Sequence, residues 1–237
     1  MGYLYNQLLK DIRFVEGLNA CMNCGVCTAI CPAAEFYKYD PREIIDTVQT
    51  KDEKKIEVLM KSEAIWYCGQ CMSCKTRCPR GNTPAMVVMA LRTLSQKLGY
   101  FTESEKGRQQ FAIKRTVGEN ILKYGYCVPT YAVEPAMHPE QGPIWNYIRE
   151  NIEDVMERLG ANLLKPGPGS MREIHQSNLD ELSRIFEVSG GSELYNHIEH
   201  YSEKKASEMG LEFKKEGIDN DYFRHVYTYN SDNHGKE

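Results

Sequence analysis

The sequence predicts a mainly α-helical protein, with two cysteine groups in residues 1–100 and a helical extension over 101–237. Three observations predict it. Apolar residues recur at helical spacing through most of the chain. Helix starts and stops are marked by Asp-Pro, Thr-Pro and terminal glycines. The pattern Cys-x2-Cys-x2-Cys-x3-Cys-Pro occurs at 21–32 and again at 68–79, and the segment between reads as helix, with few β-branched residues.

The first helix is expected over YLYNQLLKDIRFVEG, ending at Gly17. DPREIIDTVQ opens with Asp40 as N-cap, Pro41 at the first helical position and Glu43 as a capping-box acid. KKIEVLMKSEAIWY carries helical periodicity into the second cysteine group. NTPAMVVMALRTLSQKLG starts at Thr83-Pro84 and ends at Gly99. The next helix begins at a Thr102/Glu105 capping box and runs to Gly125. YCVPTYAVEPAMHPEQGP, with four prolines in eighteen residues, reads as an irregular connector. IWNYIRENIEDVMERLG is another amphipathic helix, and LLKPGPGSMRE is a loop. SNLDELSRIFEVSGG and SELYNHIEHYSEKKASEMG are capped helices ending at glycines. From about residue 211 the chain is polar and weakly patterned, as expected of an arm that orders on a partner.

The chain has 237 residues and a formal charge of -4. Residues 1–100 carry 13 Lys+Arg against 10 Asp+Glu, and residues 101–237 carry 16 against 23. The balance excludes the basic excess of a typical nucleic-acid binder. The longest apolar stretch, AMVVMAL, is far short of the roughly 20 residues a membrane-spanning helix needs. The N-terminus has no extended apolar core, so no secretory signal is read there. A cytoplasmic location is therefore expected, where clustered cysteines bind metal or do redox work. Nine cysteines is an odd number and fits poorly with a paired disulfide framework.

The cysteine spacing is that of bacterial four-iron clusters. Three cysteines at three-residue intervals can curl around one corner of a cubane, with backbone N–H groups donating to sulfur. Proline after the fourth pushes that cysteine toward extended backbone, so it can serve the other cluster. Two [4Fe-4S] clusters follow. Cys21, Cys24, Cys27 and Cys78 are expected to hold the first, and Cys68, Cys71, Cys74 and Cys31 the second. Zinc sites normally use separated Cys-x2-Cys pairs and match poorly. Two oxidised cubanes with their thiolates add about -4. Lys75, Arg77 and Arg80 beside the second group could offset that charge, raise its potential or face a partner, although solvated surface is the expected place for each.

Lesser signals are read conservatively. Cys127 is expected to be a buried, inert thiol. His197 and His200 share a helix face but lack a third ligand, so packing or surface is expected. KPGPGS lacks the end of a phosphate loop and is a turn. Trp66 is expected to shield the cluster or pack the insert. Tyr124, Tyr126 and Tyr131 are read as connector packing. No hydrolytic triad or dinucleotide fingerprint is present.

The two groups, separated by a helical insert headed by DPREII and closed by WYCGQCMSCKTRCPRG, resemble those of the C subunit of heterodisulfide reductase. The α-helical ferredoxin domains of succinate dehydrogenase and glycolate oxidase iron-sulfur subunits are similar. The resemblance covers about residues 5–100. It implies an α-helical ferredoxin fold around two [4Fe-4S] clusters. It also implies an electron-relay subunit between a flavin and iron-sulfur A subunit and a catalytic B subunit with Cys-Cys-Gly motifs. This chain has no Cys-Cys-Gly, so it resembles the relay and is not catalytic alone. Methanogen C subunits are expected to be shorter. Residues 101–237 are thus expected to lie outside the resemblance and to point toward complexes of sulfur-oxidising prokaryotes. A free-standing dicluster ferredoxin and an iron-sulfur subunit of a quinone- or glycolate-linked dehydrogenase are the competing readings.

Overall fold

The computed structural model of the protein describes residues 2–135, 138 and 141–228. Among them every regular element is helical. The chain divides into two compact units. One runs to Gln110 and takes in Asn196–Phe213 and the segment from Asp221; the other comprises Phe111–Tyr195 and Lys214–Asn220.

The expected first helix is two. Helix α1 spans Tyr3–Leu8 and α2 spans Ile12–Gly17. Asp11 breaks them by capping α2, its carboxylate accepting from the Arg13 amide at 2.9 Å. Short helices α3 (Val26–Ala29) and α4 (Ala33–Phe36) flank Cys31. Helix α5 (Pro41–Gln49) starts as expected, with Asp40 accepting from the Arg42 amide at 2.8 Å. Helix α6 (Glu53–Lys61) is capped by Asp52, and a 3-10 turn over Ala64–Trp66 delivers the chain to the second cysteine group. Helix α7 (Pro84–Leu98) starts at Pro84, although Thr83 makes no side-chain cap. It ends at Gly99, whose φ of 78° is left-handed and where a Cβ would collide with the Tyr201 ring.

Helices α1, α2, α5 and α6 pack on α7. Their apolar faces bury Leu8, Phe14, Ile44, Ile45, Val48, Ile56, Met60, Val87, Val88 and Leu91. The buried Ser95 hydroxyl donates to the Met60 carbonyl at 2.9 Å and ties α7 to α6.

Helix α8 (Glu105–Ile113) departs from the expected capping box. Thr102 instead sits in a 3-10 turn over Tyr100–Glu103 and donates to the Gly99 carbonyl. Two residues cap it: the Ser104 hydroxyl accepts from the Gly107 amide (3.2 Å), and the Glu63 carboxylate accepts from the amides of Glu105 (2.5 Å) and Lys106 (3.1 Å). After a π-helical stretch at Lys114–Gly118, α9 (Glu119–Tyr124) closes at Gly125.

The connector contains a 3-10 turn at Thr130–Ala132, and the rings of Tyr124 and Tyr131 meet edge to face at 5.3 Å. Its residues 136, 137, 139 and 140 lie outside the described residues. The expected helix after it breaks at Asn151 into α10 (Pro143–Glu150) and α11 (Ile152–Arg158). The KPGPGS turn is held by Asn162, whose amide Nδ2 donates to the carbonyls of Lys165, Pro166 and Pro168. Helices α12 (Gln176–Val188) and α13 (Gly191–Met209) follow as expected. His197 and His200 pack on Tyr201, their rings 6.2 and 5.0 Å from its centroid.

The tail corrects the expectation of an arm. Helix α14 (Asp221–Thr228) buries Tyr222, Phe223 and Val226. The three share one face at i, i+1 and i+4. The Tyr222 amide donates to the Glu212 carbonyl at 3.1 Å, and its ring lies 6.0 Å from that of Phe213. The last part of the expected arm, residues 229–237, lies outside the described residues. No described helix is long and apolar enough to cross a membrane.

Candidate metal centre

The repeat in the sequence is a repeat in the backbone. In the first loop Asn23 (φ 58°) and Gly25 (φ 77°) are left-handed; in the second, Gln70 (φ 55°) and Met72 (φ 60°) occupy the equivalent places. The Asn23 amide donates to Cys21 Sγ at 3.3 Å, and the Gln70 amide to Cys68 Sγ at 3.4 Å. Left-handed residues at alternate positions turn N–H groups toward one concave side, the geometry of an anion-binding nest. Non-glycine residues hold this conformation at a cost of about 1–3 kcal/mol each, so the surroundings must enforce it.

Tertiary hydrogen bonds bring the fourth cysteine of the second group across to the first. The loop after Cys78 is laced to the chain before Cys21. The Thr83 amide donates to Gly17 O (2.8 Å), the Asn19 amide to Asn82 Oδ1 (2.7 Å) and Arg80 Nε to Ala20 O (3.3 Å). The Asn82 amide donates to Cys78 Sγ at 3.3 Å. Helix α3, which carries Cys27, packs on the 3-10 turn Lys75–Arg77 that precedes Cys78. At the second group, Cys31, Cys68, Cys71 and Cys74 line a single cavity with Tyr39, Pro41, Met72 and Ala85. It encloses about 360 Å³ of space, part of it open to solvent.

Cys24 and Cys71 are exposed, and the other six cysteines of the two groups are partly buried. Burial pushes the Cys27 and Cys74 thiols up from their ordinary pKa. The Ser73 hydroxyl, 3.3 Å from Cys71 Sγ, brings that thiol down. Tyr39 is buried, and burial, then the Cys68 thiol beside it, raises its phenol strongly. Tyr37 and Tyr67 stack at 4.4 Å, and Tyr67 meets Tyr39 edge to face, forming an aromatic wall beside Cys68.

Among the described residues, no group of three or more His, Cys, Asp or Glu is placed to hold a lone metal ion. At the second group the sulfurs surround a volume. An all-thiolate donor set is soft and suits an iron-sulfur cluster. Each group adds backbone donors toward sulfur, as a cluster requires. Asn82, 2% exposed, also keeps its amide Nδ2 without a partner among the described residues, a spare donor in the Cys78 loop. The residues fit a [4Fe-4S] cluster.

Two placements escaped the sequence. Arg92, the single charge in the run AMVVMALRTLSQ, reaches back to the second group. Its Nε donates to Ile65 O (2.6 Å) and its Nη2 to Cys68 O (2.7 Å), and its guanidinium lies 5.4 Å from the centre of the buried Trp66 ring. A lone arginine in an apolar helix was the signal available. Lys75, Arg77 and Arg80, by contrast, are exposed. Cys127 is also exposed, against the expectation of a buried thiol, because the proline-rich connector offers no core to cover it.

The family model for a 4Fe-4S dicluster domain matches residues 17–82, which hold all eight cysteines of the two groups. The C subunit of a ferredoxin:CoB-CoM heterodisulfide reductase from Methanosarcina acetivorans is 32% identical over 85% of this chain and 73% of its own length. The C subunit of an H(2):CoB-CoM heterodisulfide,ferredoxin reductase from Methanothermobacter thermautotrophicus is 33% identical over 68% of this chain and 84% of its own. The iron-sulfur C subunit of a CoB–CoM heterodisulfide reductase from Methanopyrus kandleri is 26% identical over 74% of the chain and 73% of its own length. The first of these corrects one expectation. A match over 85% of the chain must include much of residues 101–237, so the extension is not foreign to methanogen C subunits.

Proposed function

The chain belongs to the family of heterodisulfide reductase C subunits, and from that premise we propose that it is the electron relay of a cytoplasmic heterodisulfide reductase-like complex. It carries two [4Fe-4S] clusters between a flavin and iron-sulfur A-type subunit and a B-type catalytic subunit with Cys-Cys-Gly motifs. Cys21, Cys24, Cys27 and Cys78 hold the first cluster; Cys68, Cys71, Cys74 and Cys31 hold the second. The observation that carries this reading is Cys31 lining the same cavity as Cys68, Cys71 and Cys74. The lacing of the Cys78 loop to the chain before Cys21 supports the reciprocal exchange.

When bound, a cluster of this kind accepts and returns an electron at a potential set by charge, hydrogen bonding and exposure. The chain's own residues do the rest. The thiolates hold, the amides of Asn23, Gln70 and Asn82 orient sulfur, and Tyr37, Tyr67 and Trp66 keep water from one side of the second group. Bond chemistry belongs to the B-type partner, which also decides between reduction of a mixed disulfide and oxidation of protein-bound sulfur.

Anaerobic preparation with iron and sulfide tests the reading. About eight iron and eight sulfide per chain are expected, with co-purification of A- and B-type subunits from the source cell. About two zinc and no acid-labile sulfide would overturn it.

A further inference from the structure

Arg92 holds a partly buried positive charge that no described carboxylate meets. Its guanidinium is pinned by the carbonyls of Ile65 and Cys68 and covered by Trp66. Its Nη2 meets the carbonyl of Cys68, a residue of the second group, at 2.7 Å. A partly buried cation without an ion pair is costly to a fold unless negative charge compensates it. The negative charge this site can supply is on the sulfurs of the second group.

The first group has the opposite neighbour. The Asp40 carboxylate accepts from the hydroxyl of Thr28, the residue after Cys27. Arg42 pairs with Asp40 at 2.9 Å, which softens that negative charge without reversing it. Lys75, Arg77 and Arg80 do not separate the two groups. They are exposed, hence screened, and they lie beside Cys74 and Cys78, which serve different clusters.

We propose that Arg92 is the fixed counter-charge of the second cluster and makes it the higher-potential of the two, so that an electron entering the chain settles at Cys68, Cys71, Cys74 and Cys31. This rests on the ligand sets proposed above. The internal step is a single electron leaving the first group and arriving at the second; one is oxidised by one electron, the other reduced by one, and no proton or bond is exchanged. The charge acts through low-dielectric surroundings, where a fixed cation stabilises added negative charge far more than one in water.

The test is a potentiometric titration of the full chain, reconstituted anaerobically and followed by electron paramagnetic resonance. Cys31→Ala and Cys78→Ala assign the couples: the higher couple is expected to vanish in Cys31→Ala and to persist in Cys78→Ala. Arg92→Gln is expected to keep about eight iron and to lower the higher couple. The shift should be at least tenfold in its equilibrium constant, about 59 mV for one electron, with the lower couple unmoved. Arg92→Lys is expected to restore most of the shift. Loss of the higher couple in Cys78→Ala overturns the proposal, whether or not the Arg92 variants fold, and so does Arg92→Gln with full iron and unmoved couples. Wild-type protein with about eight iron but couples that coincide also overturns the proposal, whereas well under eight iron instead refutes the ligand sets themselves.

Discussion

The amide of Thr83 donates to the carbonyl of Gly17 over 2.8 Å, joining the start of α7 to the end of α2. Gly17 stands four residues before Cys21, and Thr83 stands five residues after Cys78. One backbone hydrogen bond thus carries the end of the second cysteine group back to the start of the first.

Exchange of the fourth cysteines predicts which losses go together. Cys78→Ala and Cys21→Ala should each remove the same cluster, leaving about four iron per chain and identical residual spectra. Cys31→Ala should remove the other. Iron analysis with electron paramagnetic resonance checks this; Cys31→Ala matching Cys21→Ala would refute the exchange.

Asn82→Ala removes the acceptor of the Asn19 amide, a 2.7 Å bond to a side chain 2% exposed. Leaving that donor unpaired should cost about 1–3 kcal/mol. The urea midpoint should fall, and the brown colour should bleach faster in air, with the first cluster going first.

Glu63→Ala removes part of the cap of α8, leaving the Glu105 and Lys106 amides without their carboxylate while Ser104 still holds the Gly107 amide. A loss of about 1 kcal/mol is expected by thermal or urea unfolding. Hydrogen exchange should quicken in the first turn of α8.

Tyr222 is fully buried, and burial raises its phenol to about 12 from the usual 10. The fold thus favours the neutral phenol. This stability is complete below pH 10 and is lost as pH rises from 10 toward about 12. The loss should reach about 2–3 kcal/mol. Tyr222→Phe should flatten the decline in stability measured across that window by urea unfolding.

Arg115, 3% exposed, donates to the carbonyls of Lys214, Lys215 and Gly217. Arg115→Ala leaves those acceptors without their charged donor and should cost about 2–4 kcal/mol. Limited trypsin digestion should then cut after Lys214 or Lys215, where the parent chain resists.

Helix positions were legible because capping and periodicity are local. Asp40-Pro41, Thr83-Pro84 and Gly99 mark ends that the structure keeps. The misses share one cause, which is that distant or single residues outweigh the local pattern. Asp11 and Asn151 interrupt runs whose periodicity reads as continuous. Thr102 looks like a cap, yet Ser104 and Glu63, the latter forty-two residues before Glu105, do the capping. The tail looked unpatterned because three buried residues in eight are too few for a periodic signal, although they suffice once Phe213 and the Glu212 carbonyl are beside them.

By itself the sequence determined the helical class, the two cysteine loops and the softness of their donors, because each depends on residues within one or two turns of one another. Only the tertiary structure decided which distant groups meet. It set Cys31 in the cavity of Cys68, Cys71 and Cys74, closed the Cys78 loop on the chain before Cys21, and aimed the charge of Arg92 at the Cys68 carbonyl. Spacing had already pointed Cys31 and Cys78 at the opposite groups; the contacts that hold them there, and the reach of Arg92, follow from how apolar faces pack around α7, which no local spacing encodes.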